Sequence, residues 1–192
     1  MLALLERLKD DPALYVRRSV ANNLNDIGKD HPEVLTRTTH QWLQGASEER
    51  QWIVRHALRT AIKRGEPGAL AVLGFGTQAD VAVRNAQITP HKVAIGERVT
   101  LAFEVENRSA TPQRVLVDFQ IHYTKANGST AAKVFKLKTL ELQAGEKARL
   151  QKTVSLAQMS TRTHYAGRHQ VDALLNGHVE PLGYFDLMLR AF

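Results

Sequence analysis

The sequence contains no cysteine. That excludes disulfides, thiolate nucleophiles and zinc–thiolate centres together, and it suits a reducing compartment. Two triplets, Asn107-Arg108-Ser109 and Asn127-Gly128-Ser129, match the glycosylation pattern. With no sign of secretion they read as chance matches in turns. No apolar run approaches the roughly 20 residues that cross a bilayer. The opening stretch MLALLERLKDDPAL does not read as a signal peptide, because Glu6, Arg7 and Lys9 interrupt it and no small-residue cleavage site follows. A Walker loop, GxGxxG and GxSxG are all missing. The eight histidines make no ligand pattern, and His164 and His169 lie near each other without a third partner. Neither a metal nor a cofactor is expected.

What is present is an excess of positive charge. The chain of 192 residues carries a formal net charge of +7, which favours nucleic acid or another polyanion as partner. The cations are spread along the chain, so no basic tail accounts for the excess. Residues 78–192 hold 15 Lys and Arg against 10 Asp and Glu, while residues 1–77 hold 11 against 9. Hydrophobic residues make up 43%, enough for a buried core.

Up to about Phe75 the apolar residues recur at helical spacing. Leu2, Leu4, Leu5 and Leu8 predict a first helix, and Asp11 with Pro12 predicts the start of a second. Val16, Val20, Leu24 and Ile27 fall on one face of that helix, which Gly28 is expected to end. Asp30, Pro32 and Glu33 open a third, running through Trp42 and Leu43 to Gly45. Ser47 caps a fourth, which carries Trp52, Ile53, Leu58 and Ile62 to Gly65. Glu66-Pro67-Gly68 starts a short last one.

From about Asp80 the period changes to two. TLAFEVEN, RVLVDFQIHY, KVFKLKTLEL, ARLQKTVSL, HQVDALL and GYFDLML alternate or nearly so, with turn residues between them. Six or seven such strands predict an antiparallel β-sandwich. Gly74-Phe75-Gly76-Thr77 is the joint, giving domains 1–77 and 78–192.

Tyr15-Val16-Arg17-Arg18-Ser19-Val20 aligns with Ile53-Val54-Arg55-His56-Ala57-Leu58, and the proline-initiated helix at Pro32 has an echo at Pro67. Helix pairs at this period predict HEAT-like repeats, here as the C-terminal part of a longer solenoid. The fold class expected is therefore two-domain, all-α then all-β. By helical phase Arg18, Asn22 and Asp26 form a stripe opposite the apolar face, with Asn25 and Lys29 beside it. In the second copy His56, Thr60 and Lys63 take that side, flanked by Arg59 and Arg64. Such a stripe suits a phosphate backbone. The same residues also fit a solvated helix face with a hydrogen-bond ladder.

VRRSVANNLNDIGKDHPE, with WIVRHALRTAIKRGEPGAL and a β-sandwich after it, resembles the bacterial DNA alkylation repair proteins. The match is to the AlkC branch of the HEAT-like alkylpurine DNA glycosylases, one subgroup of which ends in an immunoglobulin-like domain. The resemblance implies a HEAT-like α-solenoid fragment followed by an immunoglobulin-like antiparallel β-sandwich. It implies hydrolysis of the N-glycosidic bond of N3-methylated bases such as 3-methyladenine in duplex DNA, in the bacterial cytoplasm beside the nucleoid. It makes Arg17 and Arg18 the family's backbone-binding arginine pair and Asp26 the candidate catalytic carboxylate. Asn22, Asn25, Lys29, His56, Arg59 and Lys63 complete the expected DNA-binding set. Further repeats in the family precede this region, so this chain is expected to supply part of the site. Trp42 and Trp52 are candidates for aromatic platforms or for core. The alternative function is a non-catalytic scaffold that binds DNA or protein. Arg108, Arg114, Lys125, Arg162 and Arg168 are loop candidates for DNA contact in the sandwich, while Lys133, Lys136, Lys138 and Lys152 read as protection for strand edges.

Overall fold

A computed structural model describes residues 1–76, 79–159 and 163–189. The chain divides into two compact units, Met1–Thr77 and Gln78–Phe192.

The first unit contains α1 (Leu2–Leu8), α2 (Leu14–Asp30), α3 (Pro32–Leu43), α4 (Glu48–Ala57), α5 (Arg59–Lys63) and α6 (Pro67–Val72). Several starts follow from local chemistry. Ser47 Oγ accepts from the Arg50 N–H at 3.3 Å and caps α4. Pro32 and Pro67 each sit in a first turn, where a missing N–H is harmless. Asp11 acts one step earlier than expected. It accepts from the Ala13 N–H at 2.8 Å in the turn before α2, and Pro12 stays outside the helix.

Gly28 does not end α2. The helix runs on to Asp30, and Gly28 is buried where α2 crosses α3. A Cβ there would meet Leu35 Cδ2 at 2.4 Å and Leu35 Cβ at 2.8 Å. The residue is glycine for space rather than for a turn. The buried face of α2 is Val20, Ala21, Leu24, Asn25 and Gly28. Val16 and Ile27 are only half-buried at its margin. Leu35, Trp42, Ile53, Val54, Leu58, Ile62 and Leu70 close the core of this unit. Each large side chain among them contributes roughly 1.5–3 kcal/mol by burial.

Arg50 ties α4 back to the α1–α2 turn, donating from Nε to Asp10 Oδ1 at 2.7 Å and from Nη2 to Oδ2. The Arg50 hydrogen bond holds the Asp10 carboxyl below its ordinary range. A depressed carboxylate pKa stabilises the fold above the unfolded value, about 4. That contribution is lost as pH falls through the lower folded value. In acid titrations of the unfolding midpoint, Arg50→Ala is expected to flatten this part of the profile. An unchanged profile counts against the pair.

The second unit contains β1 (Val81–Thr89), β2 (Lys92–Ala94), β3 (Arg98–Asn107), β4 (Gln113–Thr124), β5 (Thr130–Leu142), β6 (Lys147–Ser155), β7 (Gly167–Leu175) and β8 (His178–Met188). One sheet has the order β1-β3-β6, the other β2-β8-β7-β4-β5. They face each other across two apolar clusters, one around Leu101, Phe119, Ile121 and Phe185, the other around Phe103, Val105, Val117 and Leu142. β5 and β6 are sheet edges, and they carry Lys133, Lys136, Lys138 and Lys152. Sequence alternation misses β1 and β2. In β1 a bulge between Arg84 and Gln87, with Asn85 at φ 53°, breaks the period of two. β2 is three residues long.

These observations correct the expected fold class. The chain is 31% helix and 42% strand, in six short helices and two sheets among the described residues. It is not an all-α HEAT-like solenoid fragment followed by an all-β antiparallel sandwich. The supposed second repeat is broken at Leu58, leaving α5 with 5 residues and α6 with 6, so no run of equal helix pairs forms. The five-stranded sheet is mixed, because β2 pairs parallel with β8 through Lys92↔Asp186 and Val93↔Leu187.

Candidate nucleic-acid interface

The rotation of α2 decides where its polar residues go. With Ala21, Asn25 and Gly28 inward, Arg17 turns inward too. Its Nη1 donates to the carbonyls of Asp11 at 2.8 Å and Pro12 at 2.9 Å, and it is half-buried. Arg17 therefore secures the α1–α2 turn. Arg18 is exposed, and no hydrogen bond or ion pair within the described residues holds it. Of the arginine pair it alone is available to a ligand.

Asn22 and His56 come together from α2 and α4, with His56 Nε2 3.1 Å from Asn22 Oδ1. An amide oxygen only accepts, so Nε2 carries the hydrogen. The His56 ring stacks on Trp52, with centroids 4.9 Å apart and planes within 7°. Trp52 is half-buried, whereas Trp42 is core and donates from Nε1 to Glu6 Oε2. Arg59 Nη1 donates to the His56 carbonyl at 2.6 Å.

Asn25 is buried, with 2% exposure. Its Oδ1 accepts from the Thr60 N–H at 3.4 Å, a donor left open by the break between α4 and α5. Asn25 holds that break and is no outward-facing contact. Its Nδ2 reaches Asp26 Oδ1 through a long bond of 3.5 Å. Asp26 is exposed and forms an ion pair with Lys29 at 2.7 Å. The Lys29 hydrogen bond, followed by its charge, holds the Asp26 carboxyl below the usual range. Lys63 is exposed in α5's last turn.

The first unit thus brings Asn22, His56, Arg59, Asp26 and Lys29 together along the α2–α4–α5 seam, with Arg18 one turn earlier. Tyr15 escaped the sequence reading. It is 84% exposed and stands one turn before Arg18. Its signal was an aromatic residue on the polar side of α2.

In the second unit three of the expected loop cations are already paired: Arg108 with Asp80 at 3.0 Å, Arg114 with Glu141 at 3.9 Å, and Arg168 with Asp186 at 3.0 Å. Lys125 is exposed, and Arg162 lies outside the described residues. Among the described residues no group of His, Asp and Glu is arranged to hold a metal. Among the described residues no helix is long and apolar enough to cross a membrane.

Residues 82–189 match the family described as "Uncharacterised protein YhaZ, C-terminal Ig-like domain". The chain belongs to this family. Its similarity to YhaZ of Bacillus subtilis (strain 168) extends beyond the Ig-like domain, at 36% identity over 180 residues, or 94% of this chain and 50% of the relative. Among solved structures, the YhaZ-family chain is similar to the Pseudomonas fluorescens alkylpurine DNA glycosylase AlkC bound to DNA containing an abasic site analog. There the identity is 43% and the TM-score 0.90, over 99% of this chain and 52% of AlkC. The chain spans about half the length of the relatives it matches.

Proposed function

We propose that this chain is part of a DNA glycosylase that removes N3-methylated bases, 3-methyladenine among them, from duplex DNA. The observation that carries the reading is the 43% identity and 0.90 TM-score to AlkC across nearly the whole chain. The α2–α4–α5 seam supports it, since an unpaired arginine, an ionised carboxylate and a fixed imidazole lie along one unit. Met1, Leu2, Leu4 and Leu14 leave apolar surface on α1 and the start of α2 that no described residue covers, which fits a site completed by further chain.

An N3-methylated adenine carries positive charge before it leaves. When the N-glycosidic bond breaks, its electron pair goes to the base, which departs neutral, and positive charge develops on the sugar. Water adds to C1′ and loses a proton. A carboxylate beside the sugar stabilises that charge and orients the water. Asp26 is given this role. Arg18 is given a phosphate of the same strand, with Lys29, Lys63 and Arg59 adding to the field and Asn22 and His56 bonding as a fixed pair. Arg17 and Asn25 act through the fold rather than on DNA.

Release of 3-methyladenine from alkylated duplex tests the reading. The chain is assayed alone and as a chimera replacing the matching half of Pseudomonas fluorescens AlkC. Release by the chimera supports it. A folded, DNA-binding chimera without release overturns it and favours the non-catalytic scaffold. Arg18→Ala is expected to weaken duplex binding several-fold and to lower the salt slope by about one. Equal affinity and slope for variant and parent remove Arg18 from the interface.

A further inference from the structure

The outer face of the five-stranded sheet carries a second polar cluster that the proposed function leaves unused. His122 on β4 is the register partner of Gln170 on β7, and Gln170 is the partner of Tyr184 on β8. The three side chains therefore stand in one cross-strand row. With Arg168, Thr130 and Gly183 they line a cavity of about 270 Å³.

Two of the lining groups are fixed from behind. The Arg168 guanidinium lies over the Tyr184 ring, its Cζ 3.8 Å from the centroid. Nε and Nη2 donate to the two Asp186 oxygens at 3.0 and 3.4 Å, which sets the plane. The side chain is 62% exposed, so the guanidinium face away from Tyr184 is open. His122 is fixed by Asp172, whose side chain is only 5% exposed. Asp172 Oδ2 accepts from His122 Nε2 at 2.7 Å and from Gln120 Nε2 at 2.9 Å. A carboxylate beside Nε2 puts the hydrogen there and leaves Nδ1 unengaged by any described residue. Gln170 is exposed, and its amide is likewise unengaged.

A face meant only for water needs no buried carboxylate, because a buried charge is costly unless it is paired. Here the carboxylate serves to aim an imidazole. Arg168 is paired with Asp186, and Asp172 stands behind His122, so no uncompensated cation faces the cavity to draw an anion. What remains open is a flat cationic plane, an amide with a donor and an acceptor, and an imidazole nitrogen. Their complement is a neutral planar ring with donors and acceptors on its edge. Sheet proteins that take single strands stack bases on aromatic rings or guanidinium planes and read the base edge with polar side chains. The cavity is just below the usual range for drug-sized ligands, about 300–1,000 Å³, which suits a small ring.

We propose that this face binds a single unpaired nucleobase, stacked on Arg168 and hydrogen-bonded at its edge by Gln170 and His122. The inference goes beyond the glycosylase reading and does not depend on it.

The test compares two duplexes by fluorescence anisotropy with the full chain. One carries a single bulged adenine; the other has an abasic residue at the same position. The bulged base is expected to raise affinity about tenfold over the abasic duplex. Tyr184→Ala and Gln170→Ala are each expected to remove most of that ratio, and both side chains are exposed enough to leave the fold intact, as thermal unfolding checks. Equal affinity for the two duplexes, no detectable binding of either, or a ratio that survives both substitutions overturns the proposal. Arg18→Ala separates the two readings, because it should weaken both duplexes alike and leave their ratio unchanged.

Discussion

Replacing Asp26 with Asn in the AlkC chimera is expected to slow base release by about a hundredfold or more, the scale lost when one preorganised electrostatic group is removed from a transition state. Asparagine keeps the shape and loses the charge. The side chain is 63% exposed and its ion pair with Lys29 lies on the surface, so the fold should not suffer. Duplex affinity should stay level or rise, since a negative charge near phosphates is removed. A rate loss without an affinity loss is the signature of a group that acts on the transition state. The pH profile adds a second readout. Lys29 holds the Asp26 carboxyl below its ordinary range, so the ionised form persists further into acid. The rate should fall only as pH drops through that lowered value, and Lys29→Ala should move this limb to higher pH. Full rate in Asp26→Asn would assign the carboxylate to another residue.

Gly28→Ala should destabilise the first unit, against the usual sign. In an ordinary helix interior alanine is better than glycine by about 1 kcal/mol. At this position the new Cβ would lie 2.8 Å from Leu35 Cβ and 2.4 Å from Leu35 Cδ2. The leucine tip can turn away; its Cβ moves only with α3. Overpacking of this kind costs typically about 1–3 kcal/mol and outweighs the helix-propensity gain at the upper end of that range. Denaturant unfolding reads the result directly. A midpoint equal to or above the parent's would mean that α2 and α3 separate easily, and the close crossing would lose its claim to order the seam.

The same glycine shows why part of the site was hidden in the sequence. Hydrophobic spacing selects Val16, Val20, Leu24 and Ile27 because it weighs polarity and ignores size. The packed face is Val20, Ala21, Leu24, Asn25 and Gly28, since small residues let α3 and α4 approach. That rotation buries Asn25, which the spacing set beside the outward stripe, and leaves Arg18 in the stripe. Asn25 was unreadable for a further reason. Its role depends on an open N–H at Thr60, which exists only because the helix breaks at Leu58. The cluster on the sheet face was equally invisible, as His122, Gln170 and Tyr184 become neighbours only through strand register.

The sequence by itself determined the change of period near Asp80, the strands with clean alternation, the cap at Ser47, the absence of thiol chemistry and the basic balance. These depend on neighbours within a few positions, or on composition alone. Tertiary structure decided which face of α2 is buried, that the helices form no repeating solenoid, that β2 lies parallel to β8, and which cations are already paired. Those outcomes rest on close approach between residues far apart in the chain, where volume and register outweigh local preference.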